Sequence, residues 1–440
     1  MKIFNKILIA LFFIHLLLDG YLGIEQKGTS ALVYVIYPLL FIGLVYNFIQ
    51  NGFIHSKAVY SFLLFFFFIF LSFYLNNLEK GLALNTFESL VSAITLFLWP
   101  SLFFYFSQQK FNMASVNKLF RFIDILGIMI ALNCLIPFLV FFLNGSIIGE
   151  FIVREGMIRS FGFLTDQVGF ALVYFLIDKI YKRKIGYVLL YTAAIVGTGT
   201  RGAILMGLLA CVVTWFFMPV RNRFNNGAIK AGFVVVGLTF LLFFFSAGSN
   251  KFFENFNLRS ESESIDKTSI QRIGAMKSGI DIFLDNPIFG IGYGNFASSV
   301  LHNKKLLSLF DPIQNDVEYN VRGFANAQNQ FIDIAANGGV ICLLAVLLFL
   351  YFCIERTRYL IRSSILADNF KIVSIFTVCM LLFNQAAIYL FNFGICSFLL
   401  MILLGIANAT YYKNLPVLIN KAINTSKVEH FKVMKRTSQQ

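Results

Sequence analysis

The chain has 440 residues, 58% of them apolar and 13% charged, with a formal net charge of +14. At a mean hydropathy of +0.75, this composition excludes an ordinary soluble domain and predicts an all-α polytopic membrane protein. Apolar runs of about 20 residues exclude a β-barrel, whose strands would alternate over about ten.

Taken in chain order, apolar runs predict about twelve membrane helices, over residues 3–22, 30–50, 57–75, 87–107, 121–143, 161–180, 185–200, 202–219, 229–247, 334–354, 370–390 and 393–412. The first has a basic start but no small-residue cleavage site before Asp19, so it reads as a retained helix. Basic residues gather at alternate helix ends: Lys2 and Lys6; Lys57; Lys110, Lys118 and Arg121; Lys179 to Lys184; Arg221, Arg223 and Lys230; Arg356 to Lys371; and the tail from Lys413. That distribution follows the positive-inside rule, so both termini are expected in the cytoplasm and no nucleic-acid partner is called for. The six cysteines all fall inside apolar runs, which gives no disulfide or zinc framework. The organisation expected is therefore membrane helices over 1–247, one large extracytoplasmic loop over 248–333, membrane helices over 334–412, and a basic cytoplasmic tail over 413–440.

Within that frame several residues stand out on the outer side. Arg201, in Thr198-Gly199-Thr200-Arg201-Gly202, sits between two apolar runs. A cation at bilayer depth costs roughly 2.5–3.5 kcal/mol, so it needs a ligand, a partner or a route to the surface. Exposed amides opening the following helix favour an anion. Arg154 and Arg159 precede the sixth helix on the same side, where guanidinium groups suit phosphate through paired hydrogen bonds. Asp166 is a second costly intramembrane charge, able to pair with an arginine or to orient a hydroxyl.

In the large loop, Ile270, Ile273, Met276, Ile280, Phe283 and Leu284 recur at helical spacing, with Arg272, Lys277 and Asp281 off the stripe. Thr268 or Ser269 can cap this amphipathic helix, and Asp285-Asn286-Pro287 ends it. The glycine-rich run Gly290-Ile291-Gly292-Tyr293-Gly294-Asn295 follows, a turn expected to pack closely on helices or on a ligand, with Tyr293 and Asn295 as contact candidates. It is not a dinucleotide fingerprint, because the spacing is wrong and no βαβ unit surrounds it. Finally, Gln328-Asn329-Gln330-Phe331-Ile332-Asp333 runs into Gly338-Gly339; if helical, Asn329 and Asp333 share a face at the mouth of the bundle.

These segments, in this order, resemble the O-antigen polymerase (Wzy) and O-antigen ligase superfamily of bacterial inner membranes. The residues that carry the resemblance are Thr198 to Ala203; Arg272 with Asp285 to Phe296; Gln328-Asn329-Gln330 before Gly338-Gly339; and Arg159-Ser160-Phe161-Gly162-Phe163, together covering roughly 154–345. The resemblance implies a membrane-embedded C-type glycosyltransferase fold. It also implies an undecaprenyl-diphosphate-linked glycan as donor at the periplasmic face, with no nucleotide sugar, no obligatory metal and no other cofactor.

On that resemblance Arg201, Arg159 and Arg272 would hold the diphosphate and stabilise the leaving group. Gln328 and Asp333 join Arg201 and Arg272 as catalytic candidates, while Arg154, Asp166, Tyr293, Asn295 and Asn329 would contact substrate. Ligases of the family carry a His-Asn pair where this chain has Gln328-Asn329. Glutamine cannot accept a proton at neutral pH, which leaves Asp333 or His302 as base, or catalysis by positioning alone. The loss favours a polymerase acting on lipid-linked repeat units over a ligase acting on lipid A-core. A lipid-linked oligosaccharide flippase is the reading from another class, disfavoured because the charges of interest lie on one side. Membrane lipid and a polysaccharide chain-length regulator are the further partners this reading admits.

Overall fold

The computed structural model describes residues 2–19, 31–80, 101–144, 152–154, 157–159, 165–198, 201–219, 226–246, 264–303, 327, 329–363, 366–383 and 399–412. Among these the chain is helical, apart from one short hairpin. We number the helices α1 (Lys2–Asp19), α2 (Ala31–Asn51), α3 (Lys57–Lys80), α4 (Met113–Asn144), α5 (Thr165–Tyr181), α6 (Ile185–Gly197), α7 (Arg201–Phe217), α8 (Gly227–Ser246), α9 (Ser264–Asp285), α10 (Phe296–His302), α11 (Gln330–Ser363) and α12 (Ala367–Phe383). Residues 101–107 are helical before α4, and Leu399–Tyr412 form an apolar helix after α12. The hairpin strands, β1 (Ile152–Arg154) and β2 (Met157–Arg159), lie in what sequence periodicity marks only as a loop.

Each of the twelve apolar runs overlaps a described helix, the run 87–107 only over residues 101–107. By length and apolarity within the described residues, Lys57–Asn76 and Gln330–Arg362 suffice to cross a membrane, and several shorter apolar helices accompany them. The large aliphatic and aromatic side chains left exposed, such as Phe41, Phe67, Leu344 and Tyr351, are what helices facing acyl chains would present.

Helix α5 is central. Residues 168 to 180 are all buried, against α4, α6, α7, α8 and α12. A second, aromatic core joins α3, the 101–107 helix and α11, where the Phe103 and Phe349 ring centroids are 4.7 Å apart and Phe62 lies 5.2 and 5.4 Å from them. Helices α3 and α11 run antiparallel: Lys57 Nζ lies 5.8 Å from the Phe352 ring, and Ser72, further along α3, reaches Asn337.

The two ends of the molecule differ in chemistry. At the Lys57 end, buried Lys179 pairs with Asp124 and, at 2.9 Å, with Asp178, which also meets Lys182 at 2.6 Å. Removing a buried charge's partner is strongly destabilising, and Lys179 and Asp178 each have one. The other end carries the turn between α9 and α10 and a break in α11.

Helix α9 corrects one sequence expectation. It begins at Ser264, ahead of the Thr268 or Ser269 cap, although it ends at Asp285 as expected. Its apolar stripe also points outward: Ile273, Ile280 and Leu284 are exposed, while Ala275, Ser278, Gly279 and Ile282 are buried. A Cβ on Gly279 would stand 2.6 Å from the Ala327 Cβ and 2.7 Å from the Ile332 Cγ2. The small residues Ala275, Ser278 and Gly279 permit this close approach and so form the contact face.

Candidate functional site

Helix α11 breaks at Gly339, whose φ of 71° and ψ of −174° are not helical. The break releases backbone groups, and the glycine-rich turn takes them up. The Val340 N–H donates to the Pro287 carbonyl at 2.8 Å, the Ala336 carbonyl accepts from Ile291 N–H at 3.0 Å, and the Asn337 carbonyl accepts from Gly292 N–H at 2.9 Å. These three groups thus keep partners despite the break, as buried backbone requires.

Helix α3 locks this junction from the other side. Ser72 Oγ is hydrogen-bonded to the Phe289 carbonyl and, at 2.9 Å, to that of Asn337. Asn76 Nδ2 donates to the carbonyls of Ser72 at 2.8 Å and Gly290 at 3.2 Å. Gly290, with φ of 65°, abuts the same break: a Cβ there would stand 2.6 Å from the Ala336 carbonyl oxygen.

Asp333 lies one and a half turns before the break and is 2% exposed. Its Oδ1 accepts from Ala327 N–H and from Asn337 Nδ2, both at 3.1 Å. Asn329 caps α11, its Oδ1 accepting from Phe331 N–H at 3.0 Å and Ile332 N–H at 3.1 Å. Asn295 Nδ2 closes the glycine-rich turn onto the Ile291 carbonyl at 2.9 Å. Burial, and after it the negative charge of Asp333, push the Tyr293 phenol well above its ordinary pKa and hold it neutral beside the carboxylate. Tyr293, Asn295, Asn329 and Asp333 therefore form one polar group around the break.

A second group gathers where α5 and α7 start. The helices run parallel, so closely that a Cβ on Gly169 would stand 2.6 Å from the Ala203 Cβ and 3.1 Å from Thr198 Oγ1. Asp166 precedes Gly169 by three residues and Arg201 precedes Ala203 by two, so both positions sit at this joined end. Thr198, fully buried, closes α6 by donating its hydroxyl to the Ile195 carbonyl at 2.6 Å. Arg201 is the first residue of α7, where unpaired amides and the helix dipole favour a negative ligand.

The hairpin carries the remaining arginines. Its register pairs Ile152 with Arg159 and Arg154 with Met157, which assigns both arginine positions to one face. For Arg154, Arg159, Asp166 and Arg201 the description is of the backbone alone. Arg272 is exposed on α9, two turns from Gly279 and close to the same helix edge. Gln328 lies outside the described residues, as does the side chain of His302.

Sequence reasoning missed Ser72, Asn76 and Asn337. Ser72 and Asn76 are an i, i+4 polar pair near the end of an otherwise apolar helix, and that spacing was the available signal. Among the described residues no cluster of three His, Cys, Asp or Glu side chains could hold a metal ion.

The apolar helices are consistent with a membrane protein, and the polar groups around the break at Gly339 and the start of α7 are its candidate site. Residues 186–349 match the family model described as O-antigen ligase, which supports a likeness of this segment to the O-antigen ligase and polymerase superfamily. The matched span runs from α6 to the middle of α11 and contains Arg201, Arg272, the glycine-rich turn, Asp333 and the break at Gly339. Proteins of this family are bacterial membrane proteins and glycosyltransferase-like enzymes that work on lipid-linked polysaccharide. No curated protein matches the chain.

Proposed function

We propose that the chain is an O-antigen or related polysaccharide polymerase. It transfers glycan from an undecaprenyl-diphosphate-linked donor to a lipid-linked repeat-unit acceptor, at the outer face of the cytoplasmic membrane. The observation that carries this reading is the match over 186–349, which contains Arg201, Arg272, Tyr293, Asn295, Asn329 and Asp333, while Arg154, Arg159 and Asp166 precede it. Gln328, standing where ligases of the family carry histidine, favours polymerase over ligase.

In the proposed reaction the acceptor hydroxyl oxygen attacks the anomeric carbon as the bond from that carbon to the diphosphate oxygen breaks. The electron pair departs with undecaprenyl diphosphate. Arg201, Arg159 and Arg272 stabilise that charge, with Arg154 at the rim, and such electrostatic help acts where charge develops. The hydroxyl proton passes to the Asp333 carboxylate, which Asn337 and the Ala327 amide hold in one orientation. Gln328, Asn329, Asn295, Tyr293 and Asp166 orient sugar hydroxyls. A single displacement inverts the anomeric centre.

The ligase reading draws support from the description of the matched family and differs only in its acceptor. Purified full-length protein, given undecaprenyl-diphosphate-linked repeat units alone, separates the two. Elongation without lipid A-core is the expected result. Transfer only when lipid A-core is added would replace polymerase by ligase, and movement of the lipid across a bilayer without any transfer would remove the enzyme reading.

A further inference from the structure

We infer that a pocket between the first turns of α1 and α4 holds the phosphate of an anionic membrane-lipid headgroup, at the end of the molecule opposite the glycine-rich turn. The pocket has a volume of about 250 Å³ and is lined by Lys6, Lys118, Asn5 and Ser115, with Phe111 and Ile3 as apolar wall. Gln108, beside it, exchanges hydrogen bonds with Ile54 at 2.7 and 3.4 Å, which fixes the pocket at the Lys57 end of α3. Along α3, the 15 residues from Lys57 to Ser72 set the two ends about 22 Å apart.

Three features select the ligand. The first is charge. Lys6 and Lys118 are exposed and neither meets a carboxylate among the described residues; Lys6 lies 5.6 Å from the Phe122 ring, and Asp124, the next acid along α4, is engaged by Lys179. Positive-inside topology explains why lysines occur at this end, but not why two of them face one cavity.

The second is a set of polar groups behind the lysines. Asn5, Asn47 and Gln109 are 3%, 0% and 4% exposed. The Tyr105 hydroxyl donates to Asn5 Oδ1 at 2.6 Å and is in turn approached by the Asn47 and Gln109 amides, so this network holds Asn5 in place at the pocket wall. Asn5 and Ser115 add neutral hydrogen-bonding groups to the two lysines, as a phosphate with polar substituents requires.

The third is amphipathic shape. Ile3 and Ile7, flanking Lys6 on α1, are 75% and 49% exposed. A volume of about 250 Å³ is far above the ~30 Å³ share of one water and just under the ~300 Å³ at which small-molecule pockets begin. It accommodates a phosphate with its immediate substituents and leaves acyl chains to run along Ile3 and Ile7. A free phosphate would make no use of that apolar flank.

The test is native mass spectrometry of the full-length protein in detergent, titrated separately with phosphatidylglycerol, phosphatidylcholine and inorganic phosphate. Wild type is expected to retain phosphatidylglycerol in preference to phosphatidylcholine and to bind inorganic phosphate far more weakly than phosphatidylglycerol. Lys6→Gln and Lys118→Gln should each weaken phosphatidylglycerol retention by roughly fivefold, the usual effect of one basic residue at an anionic surface. Lys230→Gln, an exposed lysine opening α8 at the same end, should leave retention unchanged. Equal retention by the Lys6→Gln/Lys118→Gln protein, equal loss in Lys230→Gln, or no preference over phosphatidylcholine would overturn the site. Inorganic phosphate binding as tightly as phosphatidylglycerol would overturn the lipid assignment.

Discussion

A Cβ added to Gly339 would overlap the carbonyl oxygen of Ile288, so the broken helix α11 and the glycine-rich turn meet at a distance only glycine permits. The φ and ψ of Gly339 also lie in a region essentially closed to other residues. Gly339→Ala should therefore cost more than the ~1–3 kcal/mol of a strained backbone alone, because the obstacle is main chain rather than a side chain able to swing away. Thermal unfolding of the purified protein in detergent reads this out. Gly186→Ala, at a site with nothing within 4 Å, provides the comparison. Equal midpoints for the two variants would mean that turn and helix are not interlocked.

Ser72 holds the same junction through its side chain, serving the carbonyls of Phe289 and Asn337. Ser72→Ala takes this donor from the Phe289 carbonyl, while the Asn337 carbonyl keeps the Gly292 amide, a loss of about 1–3 kcal/mol. The variant should still reach the membrane, since the α3–α11 aromatic core is untouched, but polymer chains should shorten. Chain length on a gel, set against protein level by immunoblot, measures both. Normal chains at normal protein level would separate Ser72 from the site.

Why the junction was only half legible follows from these residues. Asn286-Pro287 announces the end of α9 by local rules, and the glycines after it announce a turn, because both effects act within a few residues. What the turn packs against depends on Ser72 and Asn337, more than 200 residues and some 50 residues away, and no periodicity encodes that. The α9 stripe announced an amphipathic helix but not what its other face meets. Ala275 and Gly279 are buried and Ile273, Ile280 and Leu284 exposed because Gly279 packs on Ala327 and Ile332, about 50 residues away. The capping role of Asn329 could not be read beforehand, because it requires knowing where α11 begins, and helix ends are the least legible feature of a sequence.

Asp333 has two duties that substitution can divide. It anchors Ala327 and Asn337, and in the proposed reaction it takes the acceptor proton. Asp333→Asn keeps an oxygen that accepts from the Ala327 amide, so the fold should survive while the base is lost. Asp333→Ala removes both. We expect both variants to display only single-repeat product, with Asp333→Asn at near wild-type protein level and Asp333→Ala reduced. Full-length polymer from Asp333→Asn would end the case for a base at this position and leave catalysis to positioning and leaving-group stabilisation.

Arg201 offers the sharpest division between charge and geometry. It opens α7 beside the Gly169–Ala203 contact, where helix amides already favour an anion and any cation would add to that field. If field alone mattered, Arg201→Lys would restore activity lost in Arg201→Ala. A diphosphate held through two parallel hydrogen bonds makes a different demand, since lysine offers a point charge and arginine a planar fork. We expect Arg201→Ala to leave single-repeat product with the protein still in the membrane. Arg201→Lys should recover only a minor fraction of polymer, corresponding to a loss of about 1.5–3 kcal/mol for a hydrogen bond to a charged group. The measurement is polymer formed per minute by purified protein from undecaprenyl-diphosphate-linked repeat units. Full recovery in Arg201→Lys would reduce the residue to a field source, and wild-type rates in Arg201→Ala would remove it from the site.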